Sequence, residues 1–409
     1  MKISTDAYKG VRDFYPDDYK IQEYIFDVWK DTLQSFGYEQ YDSSVLENAE
    51  IFKQKSGEEI VNEQTYTFTD KGDREVSLRP EMTPIVARMI AHKQKELSFP
   101  IRWFSMPNLF RYERPQKGRL REHWQLNVDL FGVDNKNADV EVISIASALL
   151  KSFRLTDDKF VIKINDRDLI NDTLSEMGLD EKQAKKITKL LDKKNKINNF
   201  DELASEIIGR DFVWKPEPNE KITFIMNELK SLGIENIEFA PEMVRGFDYY
   251  TGIIFEVFDT GKENNRSIFG GGRYDDLISM FSNEKVPAVG FGMGDVTLRD
   301  VLETYDLVPE FQAPVDLYIC VLDEPFIRAA NIIAKVWREE GLHIVVDITG
   351  KKVGDQIKKA IKLKSPFIVC IGENEVTTKK VVVKNLETRK EKKLKIEKVA
   401  EFVLKSVLG

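Results

Sequence analysis

Between residues 17 and 36, Ile21, Tyr24, Ile25, Val28, Trp29 and Leu33 recur at three- and four-residue spacing. That spacing puts them on one broad face of an amphipathic helix, and Gly37 supplies its stop. Strand-like stretches follow at 64–70, 75–78, 101–110 and 126–131, with helical stretches at 82–95 and 138–153 among them. Adjacent short strands bounded by Gly, Asp and Pro predict an α+β domain with a largely antiparallel sheet flanked by helices.

From 165 to 238 the pattern changes. Leu, Ile, Lys and Glu at helical spacing, as in 184–191 and 222–232, predict a small helical insertion. Strand-like sequence returns at 253–258, followed by glycine-rich stretches at 270–272 and 290–294. After Pro309 come a strand (315–321), a helix (325–340), a strand (343–348), a helix (354–363) and a strand (367–371). This alternation predicts a separate α/β domain on a mostly parallel sheet. The expected organisation is a first domain at 1–164, its helical insertion at 165–238, the first domain continued at 239–307, and a second domain at 314–409.

Composition narrows the picture. The chain has 409 residues, 42% of them hydrophobic, enough for two or three domains with real cores. Its longest apolar runs are strand-sized, far short of the roughly 18 residues that span a bilayer. The N-terminal stretch lacks the apolar core of a signal peptide. The two cysteines, Cys320 and Cys370, sit in apolar strand-like runs and read as buried thiols, so a reducing cytoplasm is expected. With three histidines and two distant cysteines no transition-metal cluster is expected. A net charge of −8 argues against a general nucleic-acid binder. From residue 314 onward, however, 19 Lys and Arg stand against 13 Asp and Glu, which suits a polyanion touching that region and equally a lysine-rich solvated surface.

The richest chemistry lies in 110–125, FRYERPQKGRLREHWQ. Arg111, Arg114, Arg119 and Arg121 fall between two strand-like stretches, with Pro115 and Gly118 marking the loop. Guanidinium forks so placed suit phosphate. Glu113, two residues from Arg111, is expected on the same sheet face, where it would accept from an exocyclic amine. A solvated, salt-bridged hairpin is the plain alternative. In 243–252, MVRGFDYYTG, Arg245 would hold a carboxylate or phosphate, and the pair Tyr249 and Tyr250 would read a small polar aromatic ligand, unless the segment is only a packed turn. The triplet in 270–274, GGGRY, lets backbone approach a ligand or a neighbouring strand. In 78–84, LRPEMTP, Glu81 and Thr83 read first as caps of the helix that follows.

Together these segments resemble the class II aminoacyl-tRNA synthetases and, within them, the histidyl-tRNA synthetase family. Residues 10–16, GVRDFYP, with the helix after them are similar to motif 1, which in the family builds a dimer interface. Residues 110–125 resemble motif 2, 243–250 and 271–274 the two histidine signatures, and 314–409 the anticodon-binding domain of class IIa; the likeness spans roughly 8–400. It implies activation of histidine with ATP, with Mg²⁺ on the β- and γ-phosphates, and transfer to tRNA by a homodimer. Arg111 and Arg245 would be catalytic. Arg111 would meet the α-phosphate and the histidine carboxylate, and Arg245 would bridge the same groups in the transition state. The ATP site would comprise Arg111, Glu113 on the adenine amine, Arg119, Arg121, His123 stacked on the base, and Arg299. Histidine would be held by Glu81, Met82, Thr83 and Gln125, the polar three receiving its ammonium. Asp129 and Tyr250 would read the imidazole nitrogens, with Tyr249 and Tyr274 lining the pocket. The substrate carboxylate is already a nucleophile, so positioning and charge neutralisation are what the site must supply.

Two positions depart from the family pattern. In 289–299, VGFGMGDVTLR, Thr297 stands where motif 3 carries an arginine, and Arg299 lies about 200° further round a helix. His123 stands where an aromatic, usually Phe, stacks on adenine. The rival readings are a catalytically silent paralogue acting as a regulatory subunit in histidine biosynthesis, and another class IIa synthetase, for proline, threonine or glycine.

Overall fold

The computed structural model describes residues 3–53, 64–116, 118–192, 194, 197–244, 249–261, 267–282 and 284–407. The chain divides into two compact units, Met1–Val308 and Pro309–Gly409.

In the first unit the opening helix runs Pro16–Ser35 and buries Gln22, Ile25, Trp29, Thr32 and Leu33. It ends as its sequence predicts. Gly37 takes a φ of +77°, a conformation that costs other residues a Cβ clash, and the amides of Gly37 and Tyr38 bond back to Gln34 and Leu33. Among the described residues nine strands form the main sheet. From one edge they are Glu39–Gln40, Ile101–Ser105, Glu122–Phe131, Ala288–Gly294, Ser267–Arg273, Ile253–Asp259, Phe160–Asp166 and Ile237–Phe239, with Asn108–Phe110 also pairing Glu122–Phe131. All pairings are antiparallel except the two edge strands, which are parallel to their neighbours. The helices Pro16–Ser35 and Asn137–Ser152 cover one face, joining Ile25, Trp29 and Leu33 to Leu126, Val128 and Met293 in a single core.

Some boundaries move. The stretch 101–110 is two strands broken at Met106 and Pro107, and 64–70 contributes only Thr67–Thr69. The strand expected at 126–131 begins at Glu122, which brings motif 2 residues into the sheet. Within the insertion, helices Arg167–Glu176, Glu181–Leu191 and Phe200–Ile208 share a core of Ile170, Leu174, Ile187, Leu191, Phe200 and Ala204.

The second unit has strand order Ile344–Val346, Leu317–Val321, Phe367–Ile371, Lys380–Asn385 and Glu391–Lys395. The first three are parallel as expected. The last two form an antiparallel hairpin that sequence periodicity did not reveal, because its outer strand, rich in lysine, is exposed along most of its length. Cys320 and Cys370 are free thiols in register on neighbouring strands.

One buried ion pair ties the glycine-rich strand to the helix layer. Arg273 sends two hydrogen bonds to Asp139, of 3.1 and 2.7 Å, and others to the carbonyls of Val133 and Asn135. Both residues are buried. Arg273→Met should therefore lower stability by about 3–5 kcal/mol, because it strands the Asp139 carboxylate without a partner. Adding Asp139→Leu should recover much of the loss in denaturant melts; equal instability of the single and double variants would show the charge is not the cause.

Candidate active site

A cavity of about 930 Å³ opens over the middle of the main sheet. Its floor follows from strand alternation. Along Glu122–Phe131 the sequence places polar residues at every second position, so His123, Gln125, Asn127 and Asp129 face the cavity while Leu126, Val128 and Leu130 enter the core. The neighbouring strand answers with Gly290 opposite Asp129 and Gly292 opposite Asn127. A Cβ on Gly290 would come within 2.5 Å of the Asp129 Oδ1, and one on Gly292 within 2.3 Å of the Gln125 Nε2. The absent side chains are what leave room for a ligand. Asn127, not singled out from the sequence, is detectable from this alternation.

One end of the cavity is aromatic. Tyr249, Tyr250 and Tyr274 are buried and pack edge to face or tilted, Tyr249 lying 4.9 Å from Tyr250 and 5.9 Å from Tyr274 between ring centroids. The Tyr274 hydroxyl donates to Asp129 Oδ1. Oδ2 of Asp129 is buried with no hydrogen-bond partner among the described residues. Burial pushes the Asp129 carboxyl up to about 7, the Tyr274 hydrogen bond pulling the other way. An orphaned carboxylate oxygen among tyrosines is a receptor for an N–H donor.

Glu81 and Thr83 line the same cavity. The helix Thr83–Lys93 has no side-chain cap, so the capping role that these residues first suggested is not the one they play. Arg111 lines the cavity too, its Nε donating to the Pro80 carbonyl at 2.9 Å. Glu113 also faces it, by a different route from the one expected. The strand ends at Phe110, and a tight turn in which the Glu113 amide bonds the Arg111 carbonyl at 2.7 Å brings the two side chains together. Arg119 lies 3.8 Å from Glu113. Desolvation and the guanidiniums of Arg111 and Arg12 push the His123 imidazole down to about 3, so it presents a neutral ring.

Three expected residues do not line the cavity. Met82 is buried in a core with Ile51, Phe52, Ile85 and Leu109, as its apolar side chain favours. Arg121 turns outward over the rings of Tyr112 and Tyr8, at 4.0 and 5.5 Å, with its Nε on the Glu113 carbonyl. Arg299 is drawn to Asp18 at 3.0 Å and Glu303 at 2.7 Å, beside a second hollow of about 350 Å³. Arg245 lies outside the described residues, although Val244 and Tyr249 on either side of that segment line the cavity. Sequence reading also passed over Arg167, Asn171, Lys185, Thr188 and Lys189, which the insertion brings to the cavity wall.

A sequence model of the histidyl-tRNA synthetase family matches residues 10–212 and 218–297, and one of an anticodon-binding domain matches 316–406. The histidine–tRNA ligase of Leptospira biflexa serovar Patoc is 42% identical to the chain over 95% of both proteins. The chain belongs to the histidyl-tRNA synthetase family. Its fold is that of the apo histidyl-tRNA synthetase from S. aureus, with a TM-score of 0.75 at 24% identity over 98% of this chain and 99% of that one. A Bacillus halodurans C structure named as an ATP phosphoribosyltransferase regulatory subunit/histidyl-tRNA synthetase is also similar, with a TM-score of 0.70 at 25% identity, over 88% of this chain and 97% of that one.

The family's cavity carries a testable electrostatic tension. The Asp129 carboxyl titrates higher in the folded chain than its ordinary 3.8, so its stabilising effect is complete below about pH 4 and is lost as pH climbs through about 7. Asp129→Asn removes that loss. Relative to the unmodified chain, the variant should gain roughly 2–3 kcal/mol of stability between about pH 5 and about pH 8. Denaturant melts at the two pH values measure it, and a difference that does not change with pH would refute it.

Proposed function

We infer that this chain joins L-histidine to ATP as histidyl-adenylate and passes the histidyl group to the 3′ end of tRNA. The observation that carries this reading is the orphaned Oδ2 of Asp129, buried at the tyrosine-lined end of a cavity whose wall also presents Arg111. An imidazole N–H would complete that oxygen. A site built to hydrogen-bond its ligand rejects analogues lacking the group far more strongly than size alone.

In the first step a histidine carboxylate oxygen attacks the α-phosphorus and pyrophosphate leaves. In the second a ribose hydroxyl of the terminal tRNA nucleotide attacks the activated carbonyl and AMP leaves. Arg111 aligns the carboxylate against phosphorus and neutralises charge on the non-bridging oxygens, and Arg245 retains the bridging role that the resemblance implies. Glu81, Thr83 and Gln125 offer oxygens to the ammonium. Glu113 reads the adenine amine, and the neutral His123 ring is a stacking surface for the base. Among the described residues no group of three or more His, Cys, Asp or Glu side chains could hold a metal. Mg²⁺ brought with ATP would supply charge neutralisation at the β- and γ-phosphates, as the resemblance implies.

The paralogue reading is weaker. The chain keeps the 243–250 segment and matches an anticodon-binding domain over 316–406, parts that a purely regulatory subunit does not need. Among the described residues no helix is long and apolar enough to cross a membrane.

A homodimer completes the proposal. In the three-stranded sheet of Leu46–Asn48, Glu75–Leu78 and Thr67–Thr69, the register turns Leu46, Val76, Leu78 and Phe68 to one face. Leu46 and Phe68 are 47% and 48% exposed, an apolar face suited to a second copy. Phe68→Glu should shift the mass seen by light scattering from dimer towards monomer, and an unchanged dimer at low concentration would remove this face from the interface. For catalysis, the purified protein should exchange pyrophosphate into ATP only with L-histidine present. Arg111→Ala should slow exchange by about a hundredfold or more. Exchange driven by proline, threonine or glycine would overturn the specificity.

A further inference from the structure

The insertion helix Glu181–Leu191 lies along the cavity rather than beside it. Glu181, Ala184, Lys185, Thr188, Lys189 and Asp192 all line the cavity, and their three- and four-residue spacing is one complete helical face. Ile187 and Leu191 point the other way, into the insertion's own core. The helix is thus fixed from behind and presents two ammonium groups in front. Both lysines are exposed, so packing does not require them.

Among the described residues the motif 3 position of the family pattern carries no cation. Thr297 lines the cavity with only a hydroxyl, and Arg299 is held outside by Asp18 and Glu303. Arg111 is anchored by the Pro80 carbonyl at the strand end, where it would meet the α-phosphate, and Arg119 stands beside Glu113, which would read the base. The polyphosphate is the most highly charged part of the nucleotide, and the motif 3 end of the cavity offers it the uncharged Gly292, Gly294 and Thr297.

Building on the histidine-activation reading above, the geometry points to Lys185 and Lys189 as the residues that bind the terminal phosphates of ATP, taking over the work of the arginine replaced by Thr297. An ammonium on a long stem is a point charge suited to mobile phosphate oxygens, and it needs no bidentate fork. The insertion then belongs to the nucleotide site and is not solely a structural appendage.

Equilibrium binding of AMP, ADP and ATP to the full chain tests this, together with histidine-dependent pyrophosphate exchange. Lys185→Ala/Lys189→Ala should weaken ATP binding about tenfold or more and leave AMP within about twofold, since each lost charged hydrogen bond contributes on that scale. The KM for ATP in exchange should rise in step, with the KM for histidine unchanged. Arginine at both positions should preserve binding, and Thr297→Arg in the double-alanine background should restore part of it. Equal weakening of AMP and ATP, or no change in either, would overturn the assignment. So would a loss confined to the KM for tRNA with exchange intact, which would give the lysines to the RNA instead. If the unmodified chain shows no histidine-dependent exchange, the fault lies with the activation reading, while the AMP-to-ATP contrast still judges the lysines.

Discussion

Everything in the site depends on two strands lying side by side, with polar side chains at alternate positions of one and glycine opposite them on the other. Antiparallel pairing sets Gly290 against Asp129 and Gly292 against Asn127, and the floor of the cavity is the bare backbone this leaves. A methyl group at Gly290 would touch the Asp129 carboxylate, the Val128 carbonyl and the Tyr274 hydroxyl at once. The polar row His123, Gln125, Asn127 and Asp129 can then turn inward without filling the space it lines. The opposite face of the same strand, carrying Leu126, Val128 and Leu130, is buried under the helix layer, and this forbids a one-residue slip of register.

The cavity is consequently a place where stability gives way to recognition. Asp129 is buried with one oxygen satisfied by Tyr274 and the other by nothing among the described residues, and burial raises its titration, which records that cost. A ligand N–H that fills the vacancy regains what folding loses there. His123 shows the reverse case: burial, and after it the guanidiniums of Arg111 and Arg12, hold it neutral, so the positive charge near it stays on arginines, as the proposed phosphate contacts require. The separation leaves one end of the cavity suited to a small heterocycle and the rest to an anion.

Much of this was legible in the sequence because it follows local periodicity. The opening helix, the antiparallel sheet, the parallel strands of the second unit, and the cavity places of Glu81, Thr83, Gln125, Asp129 and the three tyrosines follow from spacing and resemblance. What escaped depends on where separate elements meet. The Arg111–Glu113 juxtaposition comes from a turn, where the two-residue rule of strands does not apply. Arg299 cannot be judged from its own helix, since Asp18, far away in sequence, draws it aside. Met82 and Arg121 lie within motifs yet face the core and the outer surface, because a motif marks a segment and folding chooses the side. The lysine face of the insertion carries no signal of a site in its own helical periodicity. Only its placement over the sheet makes it part of the site.

The cavity walls are also held from outside. Asp295, at the start of the helix Asp295–Thr304, accepts the Trp124 amide at 2.9 Å and a 2.6 Å bond from Arg12. Trp124 lies between the cavity residues His123 and Gln125, and Asp295 directly follows Gly294, so one carboxylate fastens the two central strands where both leave the sheet. Trp29 adds a second tie, its indole N–H reaching the Met293 sulfur at 3.3 Å. At the far end the Tyr274 hydroxyl on Asp129 joins the same pair of strands through a third. A floor of glycines has little side-chain packing of its own to resist shear. Clamping it at both ends supplies the rigidity that a positional catalyst requires, and it explains why the segment before the first helix belongs to the site it never enters.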